Sequence, residues 1–391
     1  MSIRFLTAGE SHGPALTVIL DGLPAGVPVD ADRIRHELWR RQQGHGRGGR
    51  MRIERDKAEI LGGVRFGRTM GGPVAMTIAN LDWENWREAM AVEPAPKKAA
   101  VSRLRKVTHP RPGHADLAGA LKYLTYDARE VLERASARET AARVAAGALC
   151  KGFLEPFGIE VLSHVIAAGG VWLRSEVAWR RIAALPDSSP LRCVDERLQR
   201  RMIATIDTAR RRGDSVGGCF EVVARGVPPG LGSMSQQDRR LDGRLAGALV
   251  TVPAVKAAEI GEGVRGVSIR GSDFHDEIFY DRRTRRFFRR TNRAGGLEGG
   301  ISNGAEIRVR GYLKPLSTLS RPLRTVDLLT KRPTRAQVER TDVTPILAAG
   351  IVGEAVVALV LADAVVEKFG GDSLRETLRN HHSYLAALRR Y

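Results

Sequence analysis

Apolar and polar residues recur along the chain with two different periods. Alternation with a period of two predicts strands over 3–8, 15–22, 51–61, 73–80, 159–168, 219–226 and 305–313. Helical spacing predicts helices over 30–42, 114–134, 138–154, 197–212, 237–250, 345–369 and 373–390. The longest helix begins at Thr344-Pro345, an N-cap followed by a proline at the first helical position, and stops at Gly370-Gly371. Its apolar run is interrupted by Glu354, Asp363 and Glu367. A membrane span needs about 20 residues with few charges, so this segment reads as a core helix. Strands and helices do not alternate as regular βαβ units, and the expected class is therefore α+β. Residues 261–304 lack a strong apolar period and are expected to form one long, glycine-rich functional loop.

Two segments share a pattern. "ALTVILDGLPAGVPVDADRIRHEL" (15–38) and "CFEVVARGVPPGLGSMSQQDRRLDGRL" (219–245) both run strand, G-[LV]-P-x-G, then helix. Chance similarity is one explanation. The other is an ancient duplication, giving a single domain over 1–391 with pseudo-halves near 1–215 and 216–391.

Composition narrows the picture. The chain has 391 residues and is 43% apolar, enough for a sizeable core. The start, "MSIRFLTAGE", lacks the basic and apolar regions of a signal peptide, so the cytoplasm is the expected compartment. Cys150, Cys193 and Cys219 are odd in number and widely spaced, which argues against a disulfide framework or a structural zinc site; they read as buried thiols. No metal site is expected.

Charge changes the picture most. Lys and Arg number 63 against 44 Asp and Glu, a net charge of +19, which points to a polyanionic partner. Aromatic residues are only 5%, and no zinc-finger, RNP or helix-turn-helix signature is present, so charge alone supports nucleic acid. Many arginines sit in short Gly- or Pro-containing loops, "RRQQGHGRGGR" (40–50), "HPRPGH" (109–114) and "SRPLR" (320–324). Such loops bring backbone and planar guanidinium forks close to a small, multiply charged anion.

Several motifs can be weighed on context. "GESHG" (9–13) fits G-x-S-x-G, but a hydrolase elbow follows several strands, and only eight residues precede Gly9. "GHGRGG" (44–49) fits G-x-G-x-x-G, yet a helix precedes it and a strand follows, the reverse of a dinucleotide site. What remains there is an anion clamp flanked by Arg40, Arg41, Arg47 and Arg50. His12 and His114 each sit in a glycine-bounded turn, "ESHG" and "PGHAD". A lone histidine in a turn is often incidental; two in matching contexts beside arginine-rich loops point to proton transfer. Ser136 precedes a helix between Arg134 and Arg138, either a plain N-cap or an anion site.

Taken together, "TAGESHGPAL" (7–16), "RPGHADL" (111–117), "ERASARETAARVAAG" (133–147), "TNRAGGLEGGISNG" (291–304), "KPLST" (314–318) and "RTDV" (340–343) occur in one order over the chain. This set resembles the chorismate synthase family across roughly residues 3–380. The resemblance implies an α+β sandwich with helices between two antiparallel sheets, assembled as a homotetramer. It implies an anti 1,4-elimination of phosphate from 5-enolpyruvylshikimate 3-phosphate that requires reduced FMN (FMNH2) without net redox change. NADPH is implied only as an indirect reductant, and neither nucleic acid nor membrane as a partner.

Site residues follow by motif from that resemblance. His12 matches the histidine that protonates the leaving phosphate, and His114 the one beside the flavin N1 and O2. Asp342 matches the carboxylate that assists proton removal through flavin N5, with Ser136 as relay. Arg41, Arg47, Arg111, Arg138 and Arg340 match positions lining the substrate's phosphate and carboxylates. Flavin contacts are implied for Arg134, Ala135, Ser136, Pro253, Ala254, Gly299, Lys314, Pro315, Leu316, Ser317, Thr318 and Arg340. The sequence departs from the family pattern at Pro253, where glutamine is common, and at "DVTPILAAG" (342–350), which lacks the usual cysteine. "FYDRRTRRFFRR" (279–290) is more basic than typical and reads as a surface hairpin or an aid to anion steering. Two other classes remain open at this point: a nucleic-acid-binding protein, and a flavin-binding relative with a changed reaction.

Overall fold

The computed structural model describes residues 2–48, 55–94, 105–339 and 341–391. One antiparallel sheet contains β1 (Arg4–Ala8), β2 (Ala15–Asp21), β3 (Ala58–Gly62) and β4 (Val74–Ala79), in the order β1-β2-β4-β3. The other contains β5 (Glu160–Ala168), β6 (Val171–Trp172), β7 (Gly218–Arg225), β8 (Val255–Ile260) and β9 (Ile307–Leu313), in the order β8-β9-β7-β5-β6. In β2 the alternation buries Leu16, Val18 and Leu20 and turns Thr17 and Ile19 outward.

The helices are α1 (Ala31–Gln42), α2 (Asp116–Tyr123), α3 (Arg129–Leu132), α4 (Thr140–Leu154), α5 (Trp179–Ala183), α6 (Glu196–Arg211), α7 (Leu241–Val250), α8 (Gly263–Gly266), α9 (Gly271–Phe274), α10 (Ile346–Phe369) and α11 (Leu374–Leu388). α4 packs on β2 and β4, α10 packs on β5 and β7, and the two helices pack on each other. Their close approach needs Gly147, where a Cβ would lie 2.4 Å from that of Ala355. α10 is apolar on nearly every side because it is covered on nearly every side. By length and composition it could cross a bilayer, but it is buried inside the protein. The three cysteines are free and buried.

One polar side chain interrupts that helix. Glu354 is wholly buried and accepts hydrogen bonds from Arg40 (2.8 and 3.0 Å), Lys151 (2.5 Å) and the Ser163 N–H and hydroxyl (2.8 and 2.7 Å). Glu37 also accepts from Arg40 and Lys151. Burial would raise the Glu354 carboxyl, but Arg40 and Lys151 hold it far below the ordinary carboxylate range. The cluster ties α1, α4 and β5 to α10. A second cluster lies on the outer face of the five-stranded sheet, where Glu221 accepts from His164, Arg308 and Arg310. Burial again opposes ionisation there, and its cationic partners outweigh it, setting the Glu221 carboxyl at about 2.

Four expectations need correction. The helix expected over 114–134 is two, because Leu124 turns left-handed (φ +55°). The Asp127 carboxylate then accepts the N–H groups of Val107 and Arg129, drawing the chain out of helix. Residues 261–304 are not one loop; α8, α9, a hairpin of Ile278–Asp281 with Arg286–Arg289, and a bridge of Leu297–Glu298 with Ile301–Ser302 fill them. Cross-strand pairs Phe279–Phe288 and Tyr280–Phe287 organise the basic hairpin. Thr344 does not cap α10, whose start has no side-chain cap. β8 and α5 were not expected at all. Of the strand expected over 51–61, residues 51–54 lie outside the described part.

Candidate active site

The β1–β2 connection is a tight turn that only glycine can begin. Gly9 has φ +96°, and a Cβ there would meet the Ala15 carbonyl oxygen at 2.2 Å. The turn carries Ser11 and His12 to the C-terminus of α3. There the Ser11 N–H donates to the Glu133 carbonyl (3.0 Å) and the His12 N–H to the Glu133 carboxylate (2.9 Å). The His12 Nδ1 lies 2.9 Å from both Glu133 oxygens, and its ring lies on Trp86 with centroids 3.7 Å apart. Arg129, one helical turn before Glu133, holds the same carboxylate at 2.9 Å. Burial would raise the Glu133 carboxyl, but the His12 hydrogen bond and charge, with Arg129, keep it below the ordinary range.

His114 has a parallel arrangement made from local sequence. Its Nδ1 lies 2.5 Å from Asp116, a fully buried carboxylate that also accepts the Arg111 backbone N–H, Nε and Nη2. Arg111 Nη1 in turn donates to the Thr318 hydroxyl at 2.9 Å. Burial opposes ionisation of Asp116; hydrogen bonds from His114 and Arg111 hold it well below its usual value.

The arginines arrive from separate elements. Arg41, at the end of α1, and Arg138, just before α4, share the buried Asp56 at 2.7 and 2.6 Å. Despite burial, their two charges keep the Asp56 carboxyl lowered. Arg47 pairs with Asp342 at 2.7 Å, and the Gly48 N–H donates to the other Asp342 oxygen at 2.6 Å. Ser136 donates to the Ser11 hydroxyl at 3.1 Å. Arg134 donates to the Thr7 and Gly9 carbonyls at 2.8 and 3.1 Å. Lys314 donates to the Gly113 carbonyl, and burial followed by repulsion from Lys256 lowers its ammonium.

These groups line one cleft of about 1170 Å³. His12, His114, Asp342 and Ser136 meet there with Arg41, Arg47, Arg111 and Arg138. So do Arg134, Ala135, Pro253, Ala254, Lys314, Leu316, Ser317 and Thr318. Pro315 does not line it, although both its neighbours do. Gly299 is not brought to it either; it sits in the turn between Leu297–Glu298 and Ile301–Ser302, where its carbonyl faces Arg240. Arg340 lies outside the described residues.

Sequence reasoning missed Glu133, Asp116, Asp56, Trp86 and Arg129. Asp116 had a signal, two residues after His114 in "GHAD"; Glu133 opens the quoted segment 133–147, but nothing in the sequence linked it to His12, 121 residues away.

Among the described residues the lining contains ten Arg and Lys side chains and four carboxylates. Adding the buried Asp56, Asp116 and Glu133 behind it still leaves cations in excess, so the cleft suits a ligand with several negative charges. Its walls at Leu132, Val252, Pro253, Ala254 and Leu316 are apolar and suit a flat ring system. Two imidazoles are each backed by a buried carboxylate, an arrangement suited to proton transfer. Among the described residues no group of three His, Cys, Asp or Glu is placed to hold a metal ion.

Residues 3–366 match the family model described as chorismate synthase. The chain is 56% identical over 391 residues to a chorismate synthase of Solibacter usitatus, covering all of both chains. It is 54% identical over 396 residues to one of Koribacter versatilis, again covering both in full. A solved crystal structure of chorismate synthase is 39% identical, with a TM-score of 0.79, covering 100% of this chain and 99% of that one. Agreement that runs the length of the chain, in sequence and in fold alike, places this protein in the chorismate synthase family.

Proposed function

We propose that this chain is a carbon–oxygen lyase that eliminates phosphate from 5-enolpyruvylshikimate 3-phosphate to give chorismate, a step of the shikimate pathway leading to aromatic amino acids, with reduced FMN bound beside the substrate. The observation that carries this reading is the convergence of two carboxylate-backed imidazoles, Asp342 and an excess of arginine on one cleft. The substrate bears about four negative charges near neutral pH, from one phosphate and two carboxylates. Charge-assisted contacts from Arg41, Arg47, Arg111 and Arg138 answer that charge.

The residues present fit a flavin mononucleotide. Lys314 is half-buried and its ammonium, which has no carboxylate partner among the described residues, suits an anionic group. Ser136, Ser317 and Thr318 offer hydroxyls, Arg134 a guanidinium, and Pro253, Ala254 and Leu316 an apolar wall. When bound, reduced FMN lends electron density that eases departure of phosphate and takes it back, so that no net oxidation results.

The chain's own groups handle protons and charge. His12 gives the proton on Nε2 to an oxygen of the departing phosphate; the N–H bond breaks and an O–H bond forms. Arg41 and Arg138, braced by Asp56, bear the growing negative charge. Asp342 is the final acceptor of the proton that leaves the ring, with Ser136 as relay. His114, held by Asp116, sets the electrostatics of the part of the cleft beside Arg111 and Lys314.

The same reading places the enzyme in the cytoplasm as a homotetramer with NADPH as an indirect source of electrons. It also takes the fold as helices layered between two sheets, derived by duplication. β2 followed by α1, and β7 followed by α7, supply the two strand–turn–helix units that support this. Leu6 and Ile19, paired across β1 and β2 on an uncovered sheet face, support burial between subunits.

The deciding experiment is anaerobic single turnover with reduced FMN and substrate, following flavin absorbance and released phosphate. The expected result is both signals in the wild type, with His12→Ala and His114→Ala slower by about 10- to 10⁴-fold. Absence of both substrate binding and phosphate release in the wild type overturns the assignment; near-normal rates in both variants overturn the histidine roles.

A further inference from the structure

We propose that Glu133 is the positioning residue of His12, fixing which imidazole nitrogen faces the cleft, a role that rests on the elimination proposed above. Three contacts weld the turn to the end of α3. The Ser11 N–H meets the Glu133 carbonyl, the His12 N–H meets Oε2, and the ring Nδ1 meets both carboxylate oxygens. A carboxylate accepts and does not donate, so Nδ1 carries the hydrogen in this pair and Nε2 is the edge turned to substrate chemistry. Trp86 covers one face of the ring at 3.7 Å and prevents it from swinging.

Glu133 is itself held. Its side chain is 2% exposed, and Arg129 grips Oε1 at 2.9 Å while its other guanidinium nitrogen takes Glu339 at 3.2 Å. The carboxylate therefore stays ionised and does not serve as the acid. Protonation of His12 places a positive ring against this fixed negative group, a favourable pair; loss of the Nε2 proton to phosphate leaves the neutral Nδ1–H form still bonded to Glu133. No proton moves to the carboxylate. The other charged groups around the pair are Arg105 and Arg129 beside Trp86, Asp82 accepting the Trp86 indole N–H at 3.1 Å, Arg134 on the Gly9 carbonyl, and Glu10 on the turn itself. Glu133 is the carboxylate seen at 2.9 Å from the ring Nδ1.

The test compares wild type, Glu133→Gln and Glu133→Asp, with ¹⁵N NMR of the ring and kcat as readouts. The wild type is expected to show the Nδ1–H form of His12, and Glu133→Gln to lose that preference. Its kcat is expected to fall about 10- to 100-fold, short of removing a general acid altogether. Glu133→Asp should restore the ring form in part, and His12→Ala/Glu133→Gln should be no slower than His12→Ala. An unchanged ring form in Glu133→Gln overturns the proposal, as does a further loss in the double variant. A wild type that releases no phosphate overturns the elimination instead; the NMR comparison still decides the role of Glu133.

Discussion

Arg40 and Arg41 are neighbours at the end of α1, yet they serve opposite environments. Arg40 enters the core and closes on Glu354, which receives five hydrogen bonds and has no exposure. Arg41 turns to the cleft and shares the buried Asp56 with Arg138, beside a more open carboxylate, Asp342, which is 20% exposed and held by Arg47 and the Gly48 N–H. The chemistry is the same; burial and the number of partners differ. In the core every lone pair is answered and nothing can compete, so the pair acts as a fixed joint between helices. In the cleft water and ligand anions can replace either partner, so the pair is exchangeable. An active site needs the second kind, and the first kind holds the helix that carries it.

The contrast can be broken from either side. Asp342→Asn should reduce turnover by about 10²- to 10⁴-fold while flavin affinity and the urea midpoint stay near wild type; equal loss of flavin binding would make Asp342 structural. Glu354→Gln should do the reverse, lowering stability by about 3–5 kcal/mol because Arg40 and Lys151 lose the fully buried one of their two shared carboxylates and keep Glu37. A urea midpoint unchanged from wild type would show that the core cluster is not a joint. Arg47→Ala should raise the substrate KM by about 10- to 100-fold, the worth of one charged hydrogen bond, and change FMN affinity less. The opposite order would assign the loop to the cofactor.

Acid sharpens the contrast with a smaller, graded effect. Glu221, Glu354 and Asp116 have carboxyls depressed in the native state, so the unfolded chain binds more protons as pH falls. Their contribution is complete above the unfolded value of 4.5 for glutamate and is lost as pH drops toward about 2, where Glu221 titrates. Stability measured by urea titration should therefore decline through that window. A flat profile there would mean that these clusters add nothing to folding.

What the chain reveals about itself follows from how far apart partners lie. α10 is legible because its apolar run is long, but Glu354 appears in the sequence only as an interruption. Its partners come from α1, α4 and β5, which no local pattern connects. His114 and Asp116 are two residues apart, within reach of a motif, whereas His12 and Glu133 meet only when the sheet and α3 are assembled. The hairpin at 278–289 was legible as a surface hairpin, but its arginines drew attention away from the two aromatic pairs that organise it. Likewise Leu124 and Asp127 break a helix that the apolar spacing alone continues.

The cysteines carry a practical consequence. Burial pushes the thiols of Cys150, Cys193 and Cys219 above the ordinary thiol range, and the neutral thiol is a poor nucleophile. The native enzyme should thus ignore maleimides and mild oxidants, leaving a silent background. A single cysteine introduced at the tip of the arginine hairpin or beside the cleft would then accept a spin label or fluorophore selectively, with no need to strip the natural thiols first.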